Sequence, residues 1–127
     1  MDQKRILVVD DDADLVLANR LVLESAGYIV DEAADGAESL EKMQAKLPDL
    51  VLMDVMMANP LDGYHTTQQI FDDPALREVP IVMISSIATS QYAAAFPTDQ
   101  YLNILEFVSK PIDPETLLKK LKGWLRG

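Results

Sequence analysis

Three carboxylates, a hydroxyl and an ammonium stand at or just past the ends of four short apolar runs in this chain of 127 residues. Asp10 and Asp11 follow Ile6-Leu7-Val8-Val9, and Asp54 follows Leu50-Val51-Leu52-Met53. Ser85 follows Ile81-Val82-Met83-Ile84, and Lys110 comes just after the shorter Phe107-Val108. Together these groups suit phosphoryl transfer assisted by a metal ion. An aspartate can attack phosphorus to form an acyl phosphate, but its charge repels the incoming group, so such a site needs cations. Clustered carboxylate oxygens are ligands that Mg²⁺ accepts. Lysine adds a positive charge and serine a hydrogen-bond donor.

For these groups to meet, the fold must gather positions scattered over about a hundred residues of sequence. Short β-branched runs separated by helix-length stretches read as strands of a buried parallel sheet. All strands of such a sheet end at one edge, and ligands bind outside it. The runs predict strands over 4–10, 28–33, 49–54, 80–85 and 104–109. Between them, Leu15, Ala18, Val22 and Ala26 recur at helical spacing over 14–26, with Gly27 as the stop. Asp35 with Glu38 forms an Asp version of the capping box for a second helix, which Pro48 prevents from running past about Lys46. A third helix opens at Gly63 or Tyr64, carries Ile70 and Phe71 inward, and ends near Asp73-Pro74. Residues 87–96 read as a fourth helix cut by Pro97, with 98–103 irregular.

Asp113 before Pro114 starts the last helix. Leu117, Leu118, Leu121 and Leu125 line one face of it, and Lys119, Lys120 and Lys122 face water near its negative end. Five β-α repeats imply an α/β fold, a five-stranded parallel sheet wrapped by helices on both faces. Periodicity alone does not order the strands.

Composition narrows the class. The length suits one domain with a single core, and 49% apolar residues exclude a disordered chain. No apolar stretch approaches the roughly 20 residues of a membrane span, and the N-terminus leads into a strand rather than a signal peptide. The absence of cysteine rules out a disulfide framework and fits a reducing cytoplasm. Eleven basic against 21 acidic residues leave a formal charge of −10, which argues against nucleic-acid binding by this chain alone. Asp10, Asp11, Asp12 and Asp14 crowd into five positions, a self-repulsive cluster unless a cation neutralises it.

Ile-Leu-Val-Val-Asp-Asp at 6–11, Pro-Asp-Leu-Val-Leu-Met-Asp at 48–54, Asp62-Gly63, Val79-Pro80 through Ser85, and Lys110-Pro111 stand in this order along the chain. In that order they resemble the receiver domain of bacterial two-component response regulators, from Arg5 to about Leu125. The resemblance implies a flavodoxin-like doubly wound (βα)5 sheet with strand order 2-1-3-4-5, the order the chemotaxis regulators of this family show. It implies a single receiver domain over 1–127 with no effector domain, and a phosphorylation-controlled signalling switch rather than an enzyme acting on an external substrate.

By the same resemblance, Asp54 is the phosphorylated nucleophile. Mg²⁺ is held by Asp11 and Asp54 directly, by Asp10 through a bound water, and by the backbone carbonyl of Met56. Lys110 pairs with Asp54 and then with the phosphoryl group. Ser85, with Ser86 as the adjacent alternative, hydrogen-bonds a phosphoryl oxygen and moves with the aromatic Phe107. Met56 and Ile87 flank the approach of a hydrolysing water, and their apolar side chains imply slow loss of the phosphoryl group. A histidine kinase or a histidine phosphotransfer protein is the donor. A downstream protein docks on the face formed by the 87–96 helix, the fifth strand and the last helix.

Some residues invite a plainer reading. Asp12 is expected as a solvated or capping carboxylate, His65 as surface, and Trp124 as packing for the last turn of the final helix. Asp10-Asp11-Asp12 also fits the Asp-x-Asp of Mg²⁺-dependent phosphatases resembling haloacid dehalogenases, with Asp12 as acid/base. A receiver-like interaction module that is never phosphorylated is a further alternative. Two departures from the family pattern stand out. Ala58 replaces a usual proline, with Asn59-Pro60 suggesting an inserted residue, and Leu102-Asn103-Ile104-Leu105 replaces the usual Gly-Ala before strand five.

Overall fold

A computed structural model of the chain describes residues 3–54, 62–85, 104–109 and 112–125. The elements are β1 (Arg5–Val9), α1 (Ala13–Ser25), β2 (Ile29–Ala33), α2 (Gly36–Ala45), β3 (Leu50–Asp54), α3 (Asp62–Asp72), β4 (Ile81–Ser85), β5 (Ile104–Ser109) and α4 (Pro114–Trp124). The helix expected over 87–96 lies outside the described residues. All pairings are parallel and the sheet order is β2-β1-β3-β4-β5, as the family resemblance implies.

Alternation along the central strands divides the core in two. Leu7, Val9, Val51, Met53, Ile81 and Met83 face the side covered by α2 and α3, where Met43 and Ile70 meet them. Ile6, Val8, Leu50, Leu52, Val82 and Ile84 face the side covered by α1 and α4, against Val16, Leu23, Leu117 and Leu121. Both faces of β1, β3 and β4 are therefore apolar, which is why these strands read as unbroken hydrophobic runs.

Caps fix the helix ends. The Asp12 carboxylate accepts from the backbone N–H groups of Asp14 and Leu15, which makes it the N-cap of α1. At the other end Gly27 takes φ +95°, with Gly27 N–H donating to Glu24 and Tyr28 N–H to Leu23, a Schellman turn. Asp35 caps α2 by accepting from Glu38 N–H at 2.8 Å. The Glu38 carboxylate reaches back to Ala34 N–H, one residue before the cap, rather than to the cap itself. Asp113 caps α4 through Thr116 N–H.

Three expectations need correction. The inward stripe of α1 is Val16 and Leu23 flanked by Leu15 and Val22, whereas Ala18 and Ala26 are exposed. The helical repeat that begins at Leu15 lies one position before the buried one, since Val16 and Leu23 are the residues that join Ile6, Val8 and Val30 in the core. Lys120 does not simply face water: its ammonium meets Glu106 on β5 at 2.6 Å and lies 6.0 Å from the Trp124 ring. Phe71 is half-buried beneath Arg77, 5.8 Å from its guanidinium, while Ile70 is fully buried. His65 is exposed and Trp124 packs on the α1/α4 side of the core, both as expected.

The register of β5 is broken near its start. Ile81 pairs with Ile104, but Val82 pairs with Glu106, so Leu105 is the extra residue of a bulge and is 43% exposed. The bulge falls on the segment that departs from the family pattern. The opposite edge strand, β2, carries Asp31 and Glu32, each paired at 2.6 Å with Arg5 and Arg20 respectively. Charged side chains of this kind discourage an exposed sheet edge from pairing with another chain.

Candidate phosphoryl-transfer and metal site

Asp54 is the last residue of β3, and Asp10 follows the last residue of β1. Those strands run in register as Val8↔Leu52 and Val9↔Met53, so the next step sets Asp10 beside Asp54. Both continue the even-numbered alternation that faces α1 and α4. The backbone stays sheet-like through Asp10, whose N–H donates to Ala33 at 3.0 Å, and its side chain accepts from Asp12 N–H at 3.0 Å. This bond turns the chain into the cap of α1 and leaves Asp11 at the rim.

The result is a cluster in which Asp10, Asp11 and Asp54 each offer a carboxylate oxygen within 4.8 Å of the others. Asp10 and Asp54 are only 6% and 4% exposed, whereas Asp11 is open to solvent. Two buried carboxylates at this separation repel by on the order of 3 kcal/mol at an effective dielectric constant of about 20. A divalent cation among them relieves that repulsion.

The donor set fits Mg²⁺, a hard ion that takes oxygen ligands and retains water. Two oxygens bound to one Mg²⁺ at 2.0–2.1 Å stand no more than about 4.2 Å apart. The carboxylate oxygens of the cluster all lie within 4.8 Å of one another, close enough together to surround one such ion.

A shallow cleft of about 270 Å³ opens beside the acidic pair, with Ala13, Val16, Ala33 and Ala34 as its apolar part and Glu32, Glu38 and Lys42 at its sides. Lys42 lies 3.7 Å from Glu38. Arg20 hydrogen-bonds Glu32 and Glu24, and those carboxylates, Glu32 above all, raise the guanidinium above its ordinary pKa.

The structure therefore brings Asp10, Asp11 and Asp54 together. Ser85 ends β4, one step past Ile84, the partner of Asp54, so its backbone stands at the same sheet edge. The side chains of Ser85 and Phe107 lie outside what is described, as do Met56, Ser86, Ile87 and Lys110 altogether. Asp12, required as acid/base by the dehalogenase-type reading, spends its carboxylate on the α1 cap instead. The residue that sequence reasoning passed over is Gly36, where α2 approaches α3 so closely that a Cβ would meet Thr66 Oγ1. A lone glycine at the start of a helical pattern was the signal for it.

Comparison with known proteins agrees with this geometry. The family model described as the response regulator receiver domain matches residues 6–122. The chain is 29% identical to protein PilH of Pseudomonas aeruginosa, covering 97% of this chain and 98% of that protein. It is 32% identical to the alkaline phosphatase synthesis transcriptional regulatory protein PhoP of Bacillus subtilis, covering 97% of this chain and 49% of that one. Among solved structures, the chemotaxis response regulator CheY4 of Vibrio cholerae superposes with a TM-score of 0.83 at 30% identity, covering 98% of this chain and all of that one. The chain spans 46%, 18% and 50% of three further curated relatives, about half their length or less.

Proposed function

Because the chain belongs to the response regulator receiver family, we propose that Asp54 is the residue that takes up the phosphoryl group. Receiver domains are signalling proteins that switch on phosphorylation, and the dehalogenase-type alternative finds no support in the family match or in the role of Asp12. The observation that carries the assignment is the meeting of Asp10, Asp11 and Asp54 at the C-terminal edge of the sheet.

In the reaction, an oxygen of Asp54 forms the bond to phosphorus while the bond from phosphorus to a donor histidine nitrogen breaks. The nitrogen keeps that electron pair, and the acyl phosphate remains on Asp54. Mg²⁺, when held by Asp10, Asp11 and Asp54 with the Met56 carbonyl, supplies the charge that lets two anions approach. Asp10 is braced for this by its own N–H bond to β2 and by accepting from Asp12 N–H. Lys110 and Ser85 contribute the ammonium and hydroxyl that bind the transferred oxygens, and Ser85 with Phe107 carries the change outward. The donor is a histidine kinase or phosphotransfer protein in the cytoplasm. The receiving partner meets the face that includes β5 and α4. No helix among the described residues is long and apolar enough to cross a membrane.

Incubation with acetyl phosphate and Mg²⁺ should give one phosphoryl adduct by mass spectrometry, and none in Asp54→Asn. An adduct that persists in Asp54→Asn, or that depends on Asp12, would sink the assignment. The family resemblance assigns Met56 and Ile87 to the flanks of the acyl phosphate, where apolar side chains slow hydrolysis, and Met56→Asn with Ile87→Glu should shorten its lifetime severalfold. An unchanged decay rate would show that these side chains do not control water access.

A further inference from the structure

Leu47 is 56% exposed, and the backbone beside it explains why. α2 ends at Lys46, whose φ of −149° and ψ of 112° already extend the chain. A residue before proline is held in the extended region, and side chains alternate along extended backbone. Pro48 is buried, so Leu47 must point outward. A single exposed leucine is ordinary, but this one stands between two hollows.

The hollows, of about 510 and 270 Å³, meet at Leu47 and Ala75, which line both. Met43, Leu76 and Asp73 wall the larger, and Pro48, Pro74 and Pro80 with Asp49 and Glu78 wall the smaller. These walls are stiff. Leu76 N–H and Arg77 N–H both donate to the Asp73 carbonyl at 2.9 Å, and Val79 N–H donates to that of Leu76 at 3.0 Å. The three prolines fix φ besides. A surface held in place before binding loses less entropy when a partner arrives.

Charge selects the occupant. Asp49, Asp73 and Glu78 line the hollows, and among the described residues no lysine or arginine does. Asp49 and Asp73 accept from the backbone N–H groups of Arg5 at 2.7 Å and Ala75 at 2.9 Å, which leaves their charge in place. Glu78 meets no cation among the described residues. A second copy of the chain would bring the same carboxylates to the same place, and a nucleic acid or anionic membrane would add further negative charge. An apolar segment carrying lysine or arginine matches both the hollows and their rims.

We propose that the groove around Leu47 docks a short basic and apolar segment of a partner protein. The groove lies before the first residues of β3 and β4, at the sheet edge opposite Asp54 and roughly 17 Å from it along β3. A partner held there leaves the acidic cluster open, and its docking does not depend on Asp54 being the phosphoryl acceptor.

The test is titration of acetyl-Lys-Leu-Leu-Lys-amide into the full chain, followed by amide chemical shifts. Acetyl-Glu-Leu-Leu-Glu-amide and acetyl-Lys-Ser-Ser-Lys-amide are the controls. Shifts are expected to centre on 43–49 and 73–80, and both controls should bind at least fivefold more weakly. Leu47→Ser, a change on an exposed side chain, should fold as wild type and weaken binding at least fivefold. Glu78→Lys should weaken it at least threefold, whereas Asp54→Asn should stay within twofold of wild type. Absence of binding overturns the proposal, as do shifts centred on the acidic cluster or spread over the surface, and so does unchanged binding by Leu47→Ser or Glu78→Lys. Where Leu47→Ser fails to fold, Glu78→Lys alone decides. Weaker binding by Asp54→Asn would place the peptide on the acidic cluster, and equal binding of the serine peptide would mean general attraction to a chain of charge −10; either result overturns the proposal. So do concentration-dependent shifts at 43–49 without peptide, lost in Leu47→Ser, which would give the groove to a second copy.

Discussion

Three aspartates fill the turn between β1 and α1, yet their work differs because each backbone position points its carboxylate elsewhere. Asp10 continues the strand and is buried, Asp11 stands at the rim of the acidic cluster, and Asp12 has turned to cap α1. Charge alone would make them interchangeable. Asp11→Asn should therefore abolish phosphorylation by acetyl phosphate with little effect on folding. Asp12→Asn should leave both intact, since asparagine caps nearly as well, and Asp12→Ala should cost about 1 kcal/mol of stability with phosphorylation preserved. Urea denaturation and adduct formation measured on the same three proteins check this. Equal loss of phosphorylation in Asp11→Asn and Asp12→Asn would contradict the division of roles.

At the scale of elements, strand positions were legible because a strand buried on both faces leaves an apolar run that no other arrangement explains so simply. Helix ends were legible for a similar reason: Gly27, Asp35 and Asp113 each answer a backbone requirement that is local in sequence. The face of α1 was not. Leu15-Ala18-Val22-Ala26 and Val16-Leu23 are both helical repeats, and only the neighbours decide which is buried. The leucines of α1 show the consequence, with Leu23 fully buried while Leu17 and Leu21 are 54% and 61% exposed. Leu23→Ala should destabilise by about 2–5 kcal/mol, and Leu21→Ala by no more than about 0.5 kcal/mol. Similar midpoints in urea for the two variants would refute this placement of the helix.

For the molecule as a whole, an ion that binds only the folded site must raise the stability of the fold. At free Mg²⁺ ten times its dissociation constant, the gain is about 1.4 kcal/mol. That corresponds to a rise of about 4–6 °C in Tm for a domain of this size. Asp11→Asn should lose the rise while keeping the Tm measured without Mg²⁺. An equal rise in wild type and Asp11→Asn would mean that Mg²⁺ acts on the general negative charge rather than at one site. With a formal charge of −10, that control matters.

What the sequence by itself determined was the set of elements and the chemical groups at their ends. Those depend on period, caps and turn residues, all of which act within a few positions. The tertiary structure alone decided that Asp10 lies next to Asp54, because adjacency follows from β1 pairing with β3 rather than with its next strand in sequence alone. It also decided that Leu105 is an extra residue in β5 and that Gly36 faces Thr66. Each of these is a relation between segments far apart in the chain. Register and close approach are set by how two packed surfaces fit, and neither surface carries that information separately.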